Sequence, residues 1–329
     1  MPLLSRALAF FFNLFEPVFG LAQRLLGNSR IAWLFVGPNL LVICLFTFLP
    51  ILINFSYAFS GGVNLMPLER PYTGLENFGI LLECRDYFDI QSCRKDVFWR
   101  AVQNTIEFSL IQVTLMVLFS TLTALVLNRK IMGRGFWRGV FFYPVLLSPV
   151  VVSLIWKWLL QTQGVFNAAL VAQGAVPVDW LTDAHWAFFW TIFVSIWAHM
   201  GFYTLILLAG LQAIPKDIYE AAEMDAASPW RTLYRLTLPL LMPNLIVVLV
   251  LAMIRAVQIF DEVFVLTGGG PGSATTYIVQ FIYQTGFAEQ IHLYGLAAAA
   301  SLILALGLML LTLVQLRLTR AEQAGQKAR

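Results

Sequence analysis

Long, uninterrupted apolar runs alternate along this chain with short segments that hold most of its charge. A bilayer-spanning helix needs about 20 mainly apolar residues. Six stretches reach that length, at about 32–55, 104–127, 139–160, 187–211, 240–264 and 293–316. Backbone polar groups in lipid must be satisfied within their own segment, so runs of this length predict helices rather than a barrel. The pattern before the first run is different. Leu4, Leu8, Phe11, Phe12, Phe15, Phe19, Ala22 and Leu26 recur at helical spacing, with Arg6, Asn13, Glu16 and Arg24 between them. That spacing predicts an amphipathic helix lying in the membrane interface, bent at Pro17. Asn13 and Glu16 interrupt the apolar stretch and no small-residue cleavage site follows, so the segment does not read as a signal peptide.

Composition agrees with the pattern. Of 329 residues, 59% are hydrophobic and 12% charged, against roughly 45–50% and 25% in soluble domains. The fold class expected is an all-α integral membrane protein. The net charge of +3 is small, but its placement orients the spans. Lys and Arg mark cytoplasmic segments. Outside the spans they fall at Arg6, Arg24 and Arg30, at Arg129, Lys130, Arg134 and Arg138, at Lys216, Arg231 and Arg235, and at Arg317, Arg320, Lys327 and Arg329, while the long connection 56–103 is mixed, its five basic residues balanced by acids. The connections 161–186 and 267–292 contain neither residue. Both termini are therefore expected in the cytoplasm. The implied organisation is an amphipathic segment over 1–30, a membrane domain over 31–317 with an external loop at 56–103, and a cytoplasmic tail over 318–329.

Cys84 and Cys93 lie in that external loop, while Cys44 lies inside the first span. In an oxidising compartment a disulfide closing the short loop is permitted; two free thiols are the other reading.

Several chemistries find no support. No G-x-x-x-x-G-K-[ST] cradle is present. The run TGGGPGSATT, Thr267–Thr276, lacks its Lys, follows a membrane helix, and reads as a turn-rich external loop. His185, His199 and His292 are scattered without metal-ligand spacing, and three cysteines are too few for a zinc site. No metal, no cofactor and no nucleic acid is expected.

One charged stretch stands between two apolar runs. In residues 215–239, Pro215 can open a helix. Ile218, Ala221, Ala222 and Asp225 then share one side. Ser228-Pro229 reads as an N-cap followed by Pro at the first helical position. Helix, tight elbow at Ala226-Ala227 and second helix follow from this. A connector needs only a few residues, whereas a short amphipathic helix can dock in a groove on a partner.

These residues carry a resemblance. EAAEMDAASPWRTLYRLTLPLLMP resembles the EAA loop of ABC-importer permease subunits, matching at Glu220, Ala221, Ala222, Asp225, Ala227, Leu236, Leu238 and Pro239. FWRAVQNTIEFS, FYPVLLSPVVVSLIWKWLL, GVFN and LTGGGPGSATT are similar to the carbohydrate-uptake branch, the last to its first permease, of the maltose or glycerol-3-phosphate type. Ala226 stands where the family usually has Gly. Ala disfavours positive φ, so the elbow is expected to keep negative φ there or to shift.

The resemblance implies a coupling helix in a cleft of a cytoplasmic ATPase. Glu220 would be the charged anchor, Ala221 and Ala222 the close-contact face, and Asp225, Ala226 and Ala227 the elbow. It also implies a second permease, two ATPase subunits that use ATP and Mg, an external solute-binding protein and a place in the bacterial inner membrane. The chain itself would not be an enzyme.

Ionisable residues within spans usually face a cavity or a partner. The fifth run carries Arg255, Gln258, Asp261 and Glu262. Arg255 is about 16 Å deep at about 1.5 Å per residue, with Gln258 and Glu262 on its face of one helix. The stripe reads either as a structural ion pair or as a path lining that offers hydrogen bonds to sugar hydroxyls. Asn104, Glu107 and Gln112, and the aromatics Trp197 and Tyr203, are further candidates. An ion-coupled carrier acting alone is the alternative; it needs an internal repeat and broken helices, and no repeat is evident. A membrane enzyme is less consistent, because the acidic and His residues do not cluster.

Overall fold

Capping residues decide where several helices begin. The computed structural model describes Gly27, Trp33 and residues 36–327 apart from Phe88 and Lys130, with side chains to Arg317. The interfacial helix expected before residue 30 lies outside the described residues. Residues 1–57 and 58–329 form two compact units. The first contains nearly all of α1, Val36–Ala58, which has a π-helical stretch at Cys44–Phe48.

In the second unit, α2 (Glu76–Leu82) leads to α3 (Asp96–Asn128). A broken pair follows. The segment Arg134–Leu146, whose α-helical part α4 is Arg134–Phe142, meets Pro149–Ala172 at 99°. The latter holds α5 (Pro149–Leu160) and α6 (Val165–Ala172). Asp183 caps α7, Ala184–Ala213, by accepting the amides of His185 and Trp186 at 3.0 Å each. Next come α8 (Lys216–Met224), α9 (Pro229–Val257), α10 (Asp261–Leu266), α11 (Ile278–Tyr283) and α12 (Tyr294–Lys327). Among the described residues there is no strand, only isolated bridges at Ser60–Tyr72 and Cys84–Cys93.

Among the described residues, five helices are long and apolar enough to cross a membrane, or six if the bent pair counts as one span. This corrects the expectation of six continuous spans in two places. The third is broken around Ser148-Pro149, because Pro144 and Pro149 cannot supply the amides an unbroken helix needs. The fifth ends at Val257, with Gln258 as its C-cap and Phe260 at φ −146°, ψ −63°. At its other end α9 is longer than expected. A π-helical turn, Leu233–Thr237, joins the residues after Ser228 to the span without a gap. The tail expected after the last span continues α12 as helix.

Small residues bring the helices together, as is usual in lipid. A Cβ on Gly201 of α7 would collide with the Phe141 carbonyl, so only glycine allows this approach. One apolar cluster joins α3, α7 and α9 through Phe108, Met116, Leu207, Leu241 and Val248. A second gathers Trp156, Phe166, Trp190 and Trp197 around Val152 and Val194. Near the start of α3, Cys84 and Cys93 are joined by a disulfide. There the Trp99 indole donates to the Leu81 carbonyl at 3.0 Å, tying α2 to α3.

Candidate functional site

The chain builds two polar features. The first is the hairpin of α8 and the start of α9. Three amides close α8: Asp225 donates to Ala221 O, Ala226 to Glu223 O and Ala227 to Ala222 O, each at 3.0 Å. The last two bonds are the paired closure of a Schellman C-cap, which places the residue after the cap in the left-handed region. That residue is Ala226, at φ +51°. The expectation of negative φ is overturned, because the closing hydrogen bonds outweigh the roughly 1–2 kcal/mol steric cost for an L-residue.

Ser228 then accepts the Arg231 amide at 3.4 Å and starts α9. Tyr219 and Thr237 hydroxyls, 3.3 Å apart, link the two arms. Between the arms lies a cleft of about 420 Å³, lined by Ile218, Ala221, Ala222, Asp225, Ala227 and Arg231 among others. Ala222 is buried, and Glu220 is exposed on the same helix.

The second feature lies where α9 breaks. Arg255, Gln258, Asp261 and Glu262 line one cavity of about 220 Å³ together with Ser195, Ile259 and Phe260. The break means these residues do not form a stripe on one helix, as the spacing suggested. Arg255 ends α9, and Asp261 and Glu262 begin α10. The turn nevertheless folds Glu262 back so that its Oε1 lies 3.2 Å from Arg255 Nη2. Glu262 is buried, whereas the Arg255 side chain is 47% exposed. His199 of α7 joins them, with Nε2 in contact with Arg255 and 3.4 Å from Glu262 Oε1. Its Nδ1 is 2.9 Å from the Ser195 carbonyl.

His199 was not singled out from sequence. The signal was present, since an imidazole in the middle of an apolar run of spanning length is itself unusual. Lys157 was also missed; its ammonium donates to the Val265 carbonyl at 3.0 Å and ties α5 to the end of α10.

Of the remaining candidates, Gln112 and Tyr203 adjoin this cavity through Ser195 and Arg255, and the others lie elsewhere. Asn104 donates to the carbonyls of Ser273 and Thr276 at 2.8 and 3.1 Å, holding the Gly-rich loop. That loop is closed by its own threonines: Thr275 donates to Gly270 O at 2.7 Å and Thr276 to Gly269 O at 3.2 Å. Gly269, at φ +95°, leaves no room for a Cβ against Gln280 and Thr276. Trp197 packs edge-on against Trp156, and Tyr203 is buried in the apolar cluster. Gln112 donates to Ser195 at 3.5 Å. Among the described residues no three His, Cys, Asp or Glu side chains converge as a metal site.

Helices long and apolar enough to span a membrane, a polar cavity where α9 breaks and a structured hairpin before α9 fit a membrane transport component. The chain belongs to the family of binding-protein-dependent transport system inner membrane components, whose model matches residues 91–322. It is 35% identical to the trehalose/maltose transport system permease protein MalF of Thermococcus litoralis, over 89% of this chain and 95% of that one. It is 31% identical to the lactose transport system permease protein LacF of Rhizobium radiobacter, over 88% and 94%. Among solved structures, a chain of a bacterial ABC transporter that imports the acidic polysaccharide alginate superposes with a TM-score of 0.76. The two are 25% identical, and the match covers 91% of this chain and 99% of that one.

Proposed function

We propose that this chain is one permease of an ATP-driven importer and forms, with a second permease, the path for a sugar or sugar-like solute. The solute would be delivered by an external binding protein, as the family's description suggests, and the sugar class is supported by the relatives' transport of trehalose, maltose and lactose. In this reading both termini and the hairpin 215–239 face the cytoplasm and the loop 56–103 faces outward. Two ATPase subunits that use ATP and Mg dock at the hairpin. Residues 1–30 and 318–329 flank the membrane domain of 31–317.

The observation that carries the proposal is the cleft between α8 and the start of α9, with the buried Ala222 in its lining. Glu220 anchors the ATPase, Ala221 and Ala222 form the close face, and Asp225, Ala226 and Ala227 set the angle of the elbow. Solute passes Arg255, Gln258, Asp261 and Glu262, with Phe260 offering an apolar face. A carrier acting alone would share the broken helices, but such a hairpin would have no part in its mechanism. Glu220→Lys should abolish solute uptake and solute-stimulated ATP hydrolysis while membrane insertion stays normal. An unchanged uptake rate would overturn the assignment.

A further inference from the structure

The end of the bundle that carries the hairpin holds a second cluster of charge. No Asp or Glu occurs from residue 108 to residue 178, nor from residue 184 to residue 216. The segment within that first range nevertheless contains Arg129, Arg134 and Arg138. Arg134 and Arg138, four apart on α4, therefore lie on one face. Both reach the end of α7. With its amide turned to satisfy both groups, Gln212 accepts from Arg138 Nη2 at 2.7 Å and from Arg134 Nη2 at 3.0 Å. A single neutral oxygen thus receives two guanidinium groups. Neither Arg forms an ion pair with a carboxylate among the described residues. The Nε–H of each is enclosed by protein and meets no acceptor. Both guanidinium groups are therefore short of negative partners.

The surroundings indicate what completes them. Phe136, Trp137 and Tyr143 stand exposed on the same segment, in the manner of side chains at a membrane boundary. Gly135 and Gly139 each follow one of the arginines, and a Cβ on either would meet nothing within 4 Å. The helix surface next to each arginine is therefore uncovered at these glycines, while the arginines themselves are only partly buried. Paired basic side chains at a membrane boundary bind acidic lipid headgroups, and guanidinium presents a fork that matches phosphate oxygens. A protein partner would be expected to cover the exposed aromatics with an apolar surface of its own. A lipid supplies acyl chains for the aromatics and a phosphodiester for the arginines together.

We infer that Arg134 and Arg138, with Gln212 between them, form a headgroup site for an anionic phospholipid. The full-length protein is reconstituted in nanodiscs of phosphatidylcholine with a minor fraction of phosphatidylglycerol. The lipid retained on re-extraction is then measured by mass spectrometry. The ratio of phosphatidylglycerol to phosphatidylcholine should exceed the bulk ratio by roughly thirtyfold, the scale expected for two basic contacts. Arg134→Gln with Arg138→Gln should return it to the bulk ratio, and Arg134→Lys with Arg138→Lys should keep most of the enrichment. No enrichment by the unsubstituted protein overturns the site, and that measurement stands even if the Gln variant fails to fold. Enrichment that survives the Gln pair also overturns it. So does displacement of the lipid by millimolar-scale inorganic phosphate, which would make a soluble anion the ligand. Loss of a co-purifying protein with lipid retention unchanged would assign the face to that protein instead.

Discussion

Arg255 and Glu262 form an ion pair at 3.2 Å although a break in the backbone separates the helices that carry them. The pair therefore staples the turn Gln258–Phe260 from one side, while Lys157 holds the far end of α10 through the Val265 carbonyl. His199 brings α7 into the same junction.

Removing one member of this pair should cost more than removing both. Arg255→Met leaves the buried Glu262 carboxylate short of a cation. We expect a loss of ~2 kcal/mol, below the usual figure for a fully buried pair because the Arg255 side chain is half exposed. Arg255→Met with Glu262→Gln should recover most of that stability. Thermal unfolding of the purified protein reads the difference; equal losses in the single and double variants would refute the staple.

Ala226→Gly should stabilise the hairpin. Glycine takes φ +51° without the Cβ penalty but brings a larger entropy cost from the unfolded chain. The net gain expected is about 0.5–1 kcal/mol. Hydrogen exchange of the Ala226 and Ala227 amides should slow. Faster exchange would mean that the left-handed elbow is not the populated conformation.

Asn104→Ala removes the donor shared by Ser273 and Thr276 carbonyls. We expect a loss of about 1–2 kcal/mol and faster proteolysis within 267–276, with uptake affected only through this loop. Asn104→Asp should be at least as damaging, since an ionised carboxylate would face two carbonyl oxygens. Wild-type behaviour in both variants would count against this role.

Cysteine counting tests the loop closed by Cys84 and Cys93. In denaturant, the protein should show one reactive thiol, Cys44, without reductant and three with it. Closing a loop of this size is worth about 2–3 kcal/mol, so reductant should loosen the segment between Cys84 and Cys93. Three thiols before reduction would exclude the bridge.

How far the sequence could be read depended on where each signal resides. The spans were legible because the length of an apolar run is set by the bilayer, independent of tertiary packing. Ser228-Pro229 was legible because capping is local, and Ser228 does accept the Arg231 amide. The sequence around Ala226 misled for a related reason. Side-chain sterics argued against positive φ, but the two closing bonds from Ala226 and Ala227 prevailed. The break after Val257 has no local marker, since Gln258, Ile259 and Phe260 include neither Gly nor Pro. It goes with the docking of α10 on α5, a long-range contact that no sequence window contains. The residues of the cavity were found in part: Arg255, Gln258, Asp261 and Glu262 converge, Tyr203 lies near Arg255, and Asn104 and Trp197 stabilise other parts of the fold.

The continuity of α9 has a mechanical consequence. The 29 residues from Pro229 to Val257 form one continuous helix, with a π-helical turn at Leu233–Thr237 and Pro243 inside it, about 43 Å long at about 1.5 Å per residue. A tilt of about 10° imposed at the Ser228 end sweeps the far end through about 7 Å over that length. Arg255 sits at that far end, and the joint beyond it belongs to a separate short helix anchored to α5. Angular movement at the hairpin would thereby load the contact between Arg255 and Glu262, the two charges that bridge the joint.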